Sequence, residues 1–173
     1  GCVELASVTI PEGVTNIGAE AFSGCVALAS VTIPDSVSLV GSGAFKSTPW
    51  FNNLPNGLIY IGKAAYQYKM STEDDSISIA IKDGTLSISN SAFSSCTSLA
   101  EIVIPNSVTI IGGSSFKNCY GLTKVTIPDS VTIIGDDAFY GCSGLTSVTL
   151  GKGLSKIGWS AFANCSYLTS VTI

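Results

Sequence analysis

The sequence predicts an α/β solenoid of short parallel strands, extended edges and short helical turns, interrupted once by a hairpin-like insertion. Three observations carry that prediction. Leu99, Leu122, Leu145 and Leu168 recur with a period of 23, and each opens a segment close to L-x-x-V-T-I-P-x-x-V-x-x-I-G-x-x-A-F-x-x-C. Cys2, Cys25, Cys96, Cys119, Cys142 and Cys165 keep the same period except for one longer interval between Cys25 and Cys96. Phe22, Phe45, Phe93, Phe116, Phe139 and Phe162 repeat it, three residues before each cysteine position, with the interruption in the same place.

A fixed period of roughly 20–29 residues, apolar at its first, fourth and sixth positions, marks a leucine-rich-repeat solenoid, in which each unit buries its face only against its neighbours. The interval from Cys25 to Cys96 exceeds two periods, so one unit has Thr48 in place of its cysteine and is followed by an insertion over residues 49–73, after the second full repeat. Residues 1–173 are therefore expected to form one solenoid fragment. The chain opens at the cysteine of a unit and closes on Val171, Thr172 and Ile173 at a strand, which reads as an excerpt of a longer array.

Each element of a unit follows from its residues. Leu122 to Ile127 alternates apolar and polar with β-branched enrichment, a strand. Pro128 ends it by fixing φ and removing a donor, and Asp129-Ser130 makes a turn, as do the pairs after Pro11, Pro34 and Pro105. Lys82-Asp83-Gly84 and Gly151-Lys152-Gly153 fill the same slot without proline. Val131 to Ile134 is extended again. Glycine follows in most units, which points to positive φ or close approach, with Ser89 the exception. Asp136 to Cys142 reads as one helical turn, acidic at its start, with Phe139 and Cys142 on one face. Stacking such coils about 4.8 Å apart aligns Val125 with Val148 and Phe139 with Phe162 in buried ladders.

Composition narrows the function. Charged residues make up 12% of the chain while Ser and Thr supply roughly a quarter, so hydroxyls rather than charges wet the surface. A net charge of -4 with eight scattered Lys and Arg argues against nucleic acid as a partner. No stretch reaches the roughly 18 apolar residues of a membrane helix, so no membrane insertion is expected within this segment.

There is no histidine, which removes Ser-His-Asp and Cys-His pairs, the commonest general base and the usual zinc ligand. An enzyme is not expected, nor a cofactor or a metal. The evenly spaced cysteines lack the C-x-x-C pattern of metal sites, and parallel stacked Cβ vectors suit a disulfide poorly, so they read as small buried side chains that Thr48 replaces. Asp136-Asp137 reads as a helix start, and Glu73-Asp74-Asp75 as a solvated loop with a weak calcium contact as its alternative. Gly151-Lys152-Gly153 lacks the rest of a phosphate loop, and the sequon at Asn164 contains a ladder cysteine.

Two surfaces remain as candidates for binding. Five of the nine aromatics outside the phenylalanine ladder, Trp50, Phe51, Tyr60, Tyr66 and Tyr68, fall in the insertion. Leu58 to Ile61, Gly62-Lys63 and Ala64 to Tyr68 predict a hairpin with a type II′ turn. It places Tyr66 and Tyr68 on one face, and Tyr60 opposite Ile59 and Ile61. These aromatics either project toward a protein or carbohydrate or pack back on the solenoid. The second surface is the strand face, where Thr32, Val103, Lys124, Thr126, Ser147 and Thr149 point outward, as a ligand face or merely as β-formers.

The unit running from Val125 through Asp136, Phe139 and Cys142 to Leu150 resembles the BspA-like family of leucine-rich repeats, and the resemblance covers nearly the whole chain. It implies a secreted or surface-displayed bacterial protein mediating adhesion, commonly to host matrix proteins, with no catalytic residues to carry over. The expected function is a non-enzymatic adhesion or protein-binding segment, extracellular or on the cell surface. The alternatives are a passive spacer presenting another domain and a glycan-binding accessory module.

Overall fold

In the computed structural model, which describes residues 1–71 and 75–173, the chain winds as a parallel β-solenoid of about seven turns with very little helix. One side of the coil is a strand face. Ser7–Thr9 pairs with Ser30–Thr32, Ile77–Ala80 with Leu99–Val103, and Lys124–Thr126 with Ser147–Thr149 and then Ser170–Thr172, all parallel. Registers are one period apart where the units are regular, so Val125 lies beside Val148. Two-residue strands follow each turn on a second side, in two sheets: Asn16–Ile17 pairs with Leu39–Val40, and separately Ser87–Ile88, Ile110–Ile111, Ile133–Ile134 and Lys156–Ile157 pair in order.

The third side differs from expectation. The segment from Asp136 to Cys142 is not a helical turn but a chain of overlapping tight turns, because Asp137 and Gly141 sit at φ 56 and 71, conformations that no α-helix contains. Alternate amides close the local turns, Tyr140 N–H donating to Asp137 C=O at 2.9 Å, and the others reach the next coil. Asp137, Phe139 and Gly141 N–H groups donate to the carbonyls of Trp159, Ala161 and Ala163 at 2.7–2.8 Å. The aspartates accordingly do not serve a helix dipole. Asp136 Oδ1 accepts from Trp159 N–H at 2.8 Å, and Asp137 pairs with Lys117 at 2.9 Å.

The core is built from ladders. Phe93, Phe116, Phe139 and Phe162 stack with centroids 4.9–5.2 Å apart and planes within 8° of parallel. Beside them the thiols of Cys119, Cys142 and Cys165 donate to the carbonyls of Phe93, Phe116 and Phe139 at 3.0–3.2 Å. Among the described residues no disulfide joins any of the cysteines. Thr48, fully buried, donates to Phe45 C=O at 2.8 Å and also accepts from Phe51 N–H at 3.2 Å, which caps the short helix Pro49–Asn52. A cysteine there would be a poorer cap, since sulfur is a weak acceptor.

The recurrent glycine is explained by close approach. Gly41, Gly112, Gly135 and Gly158 have no positive φ, yet a Cβ on each would lie 2.2–2.6 Å from the backbone nitrogen at the outer turn of the preceding coil. Gly18, in the first coil, meets nothing.

The insertion is an additional coil of unusual shape. Gly57–Ile61 and Ala64–Lys69 form the expected hairpin, with Gly62 at φ 56 and a bulge at Ile59/Tyr60. Its second strand joins the short-strand sheet, Ala64 beside Ser87 and Ala65 beside Ile88. Tyr68 takes the phenylalanine position, its N–H donating to Ala92 C=O at 2.7 Å as Phe93 N–H does to Ser115 C=O. Lys69 holds the hairpin to the short helix by donating to the carbonyls of Phe51, Asn52 and Leu54. Glu73 and Asp74 lie outside the described residues; Asp75 is exposed.

Candidate binding surface

The hairpin coil brings the insertion aromatics together, but inward. Phe51 and Tyr66 are 8% and 2% exposed, so neither offers a face to a partner, contrary to a projecting element. Both pack on the ladder: Tyr66 meets Phe45 and Phe51 edge-on at 6.3 and 5.6 Å, and its hydroxyl accepts from Phe45 N–H at 3.3 Å. Trp50, half-buried, stands edge-on to Phe45 at 4.7 Å, and half-buried Tyr68 stacks on Phe93. Tyr60 lies on the other face of the hairpin, where its hydroxyl accepts from Lys82 N–H at 3.0 Å and its ring carries the Lys82 ammonium at 5.1 Å. The physical reason is that a solenoid interrupted by an irregular coil must cover its ladder ends, and large rings do so with little conformational loss.

Lys124, Thr126 and Thr149 are exposed on the strand face, as the alternation required. That face is not uniform. The ladder of strands breaks between Leu99–Val103 and Lys124–Thr126, although the two are consecutive in the stack. A groove of about 340 Å³ opens there, lined by Glu101, Val103, Asn106, Lys124 and Thr126. Val103 is 53% exposed in it. Glu101 and Lys124 stand one period apart on its opposite walls, both exposed, and among the described residues the only ion pair is Lys117–Asp137. Glu101 and Asn106 escaped the sequence reading; the signal available was that Glu101 stands one period before Lys124 and breaks the run of hydroxyls.

The groove offers one exposed apolar side chain, Val103, next to a pair of opposite charges, Glu101 and Lys124, with Asn106 and Thr126 as further polar lining, a mixed surface that fits an extended polypeptide. Among the described residues no cluster of three metal-ligating side chains occurs, and no helix is long and apolar enough to cross a membrane.

The BspA type leucine-rich repeat region matches residues 1–77 and 61–173 in six copies. The chain belongs to that family. Among solved structures, this BspA-type chain is 31% identical to the leucine-rich repeat protein of T. pallidum, over 96% of its own length and 69% of that chain, with a TM-score of 0.57. It is 28% identical to a leucine-rich cell surface protein of Faecalibacterium prausnitzii, over 99% of its length and 60% of that chain, with a TM-score of 0.55. The pneumococcal vaccine antigen PcpA shares the fold at 19% identity and a TM-score of 0.57, over 97% of this chain and 56% of PcpA. No protein of curated function matches the chain. The BspA-type chain thus spans 60–69% of the first two relatives.

Proposed function

We propose that the chain is a non-enzymatic protein-binding segment of a secreted or surface-displayed bacterial protein, acting in adhesion, and that its strand face holds the partner. The observation that carries this reading is the groove between Leu99–Val103 and Lys124–Thr126, where an otherwise hydroxyl-covered sheet exposes Val103 beside the opposite charges of Glu101 and Lys124. Relatives described as a cell surface protein and as a vaccine antigen support the location. A host matrix protein is the partner class proposed.

The test is surface plasmon resonance of the chain over immobilised extracellular-matrix proteins, repeated with Lys124→Glu and Val103→Asp. Binding that falls about tenfold in each variant, with Thr149→Ala changing little, is the expected result, since a charge buried in a protein contact costs more than a kcal/mol. No binding to any matrix protein would leave the chain as a spacer. Binding indifferent to both variants would remove the groove from the reading.

A further inference from the structure

The opposite edge of the solenoid carries a second opening that comes from a shortened coil. From the short strand to the ring of the ladder, regular coils take five residues: Val40 to Phe45, Ile88 to Phe93, Ile111 to Phe116, Ile134 to Phe139. The hairpin coil takes three, Ala65 to Tyr68, and so lacks the outer turn. Its absence explains Ser89. This residue occupies the glycine position of its coil, where a Cβ is tolerated because the preceding coil has no outer turn to strike.

The missing turn leaves backbone groups without their usual partners. In a regular coil, alternate outer-turn amides reach the next coil: Ser91, Phe93 and Ser95 donate to Gly113, Ser115 and Lys117 carbonyls at 2.7–2.9 Å. The corresponding donors before the hairpin coil are Gly43, Phe45 and Ser47. Only Phe45 N–H is taken, by the Tyr66 hydroxyl; among the described residues Gly43 and Ser47 N–H have no acceptor. On the far wall the Asn90 carbonyl likewise has no backbone donor, whereas Gly113 and Asp136 at the same position accept from Ser91 and Ser114. Between the walls lies a notch of about 410 Å³ floored by Tyr66 and Gln67 and edged by Ser42, Lys46, Asn52 and Ser91.

We infer that this notch binds an extended peptide whose main chain supplies the missing turn, its carbonyls accepting from Gly43 and Ser47 N–H and its own N–H donating to Asn90 C=O. Adjacent coils stand about 4.8 Å apart, so the gap left by one coil's outer turn is about one strand wide. A row of donors facing acceptors across such a gap is the template that strand addition uses. The amides of Asn52 and Gln67 and the hydroxyls of Ser42 and Ser91 suit polar side chains of the peptide, and Lys46, which makes no ion pair among the described residues although Glu20 packs nearby against Gly43, adds a cation at the rim. This site lies away from the strand-face groove, and neither inference rests on the other.

The experiment pans a displayed library of random heptapeptides against the whole chain, then adds the enriched peptides, synthesised, to nitrogen-15-labelled protein. The Gly43 and Ser47 amide resonances are expected to move. N-methylating alternate peptide nitrogens should weaken binding by about tenfold, the value of one lost hydrogen bond. Ser42→Trp and Asn52→Trp, two independent ways to fill the notch, should each abolish the shifts while leaving the circular dichroism spectrum unchanged. The inference is overturned if no enriched peptide moves those two amides, if N-methylated peptides bind equally well, if both tryptophan variants still bind, or if maltose and cellobiose move the same amides when peptides do not, which would make the notch a polyol site.

Discussion

Tyr68 lies on Phe93, ring centroids 6.1 Å apart and planes 24° from parallel, and so holds in the hairpin coil the place that phenylalanine holds elsewhere. On the other side the stack does not continue face to face. Phe22 and Phe45 are parallel at 5.3 Å, but Phe45 meets the hairpin through the edge of Tyr66. The apolar core correspondingly falls into two clusters that meet at Ala64 and Ala65, neighbours on the hairpin's second strand.

A stack sandwiched on both sides is expected to be costlier to breach than one at its end. Phe116 is fully buried between Phe93 and Phe139, whereas Phe162 is only partly buried. Phe116→Ala should therefore lose about 3–5 kcal/mol in urea unfolding, as buried phenylalanines do, and Phe162→Ala clearly less. Equal losses would mean that the ladder does not transmit packing along its length.

At the junction of the two clusters one hydroxyl replaces a backbone partner. Removing it in Tyr66→Phe leaves the buried Phe45 N–H without an acceptor, at a cost of about 1–3 kcal/mol. Thermal unfolding followed by circular dichroism measures this. An unchanged melting temperature would show that water serves Phe45 equally well.

The ladders were legible because their residues repeat: Leu, Val, Ile, Phe and Cys recur once in every period, and the burial of Phe139 or Val125 follows from that alone. The outer turns were not. At the first positive-φ site of the outer turn Glu20, Ser91, Ser114 and Ser160 give no sign of it, and at the second only some coils carry glycine or asparagine, as at Gly24, Asn118, Gly141 and Asn164, so a spacing of three between Phe139 and Cys142 reads equally as a helical face. The hairpin was legible through its glycine turn, but not its rank as a coil, although Tyr68 stands one period after Phe45, because the phenylalanine and cysteine ladders are replaced there by Tyr68 and Ser71. Whether Phe51 and Tyr66 face solvent depends on what lies across from them, which no local pattern states.

Two serines sit where the repeat places glycine or alanine, and their buried hydroxyls have no hydrogen-bond partner among the described residues. Ser89 replaces the glycine, and Ser115 the alanine found as Ala44, Ala92, Ala138 and Ala161. Ser89→Ala and Ser115→Ala should each stabilise the chain by about 1 kcal/mol by removing an unsatisfied buried hydroxyl. Gly135→Ala should do the reverse, by more than about 2 kcal/mol, since its Cβ would lie 2.5 Å from Gly113 nitrogen and the coils would have to part. A stable Gly135→Ala protein would refute the close-approach account of this glycine.

Alkaline pH should act through the cysteine ladder. Burial pushes the thiols of Cys119, Cys142 and Cys165 up from the ordinary value of 9.0, Cys142 to about 12, with neighbouring thiols adding to the rise at Cys119 and Cys142 and backbone hydrogen bonds opposing it at all three. A folded-state value above the unfolded one means that the folded chain holds its thiol protons more tightly. Their contribution is complete below about pH 9 and is lost as pH climbs toward the folded values, at about 1.4 kcal/mol per pH unit for each fully shifted thiol. Urea midpoints at about pH 8 and about pH 10.5 should therefore differ more than lysine and tyrosine titration alone would produce. Cys142→Ser isolates the thiol, because a serine hydroxyl can still donate to Phe116 C=O yet does not ionise in this range. Its midpoint should fall less steeply with pH than that of the parent chain. Identical slopes for the two proteins would show that Cys142 does not control alkaline stability.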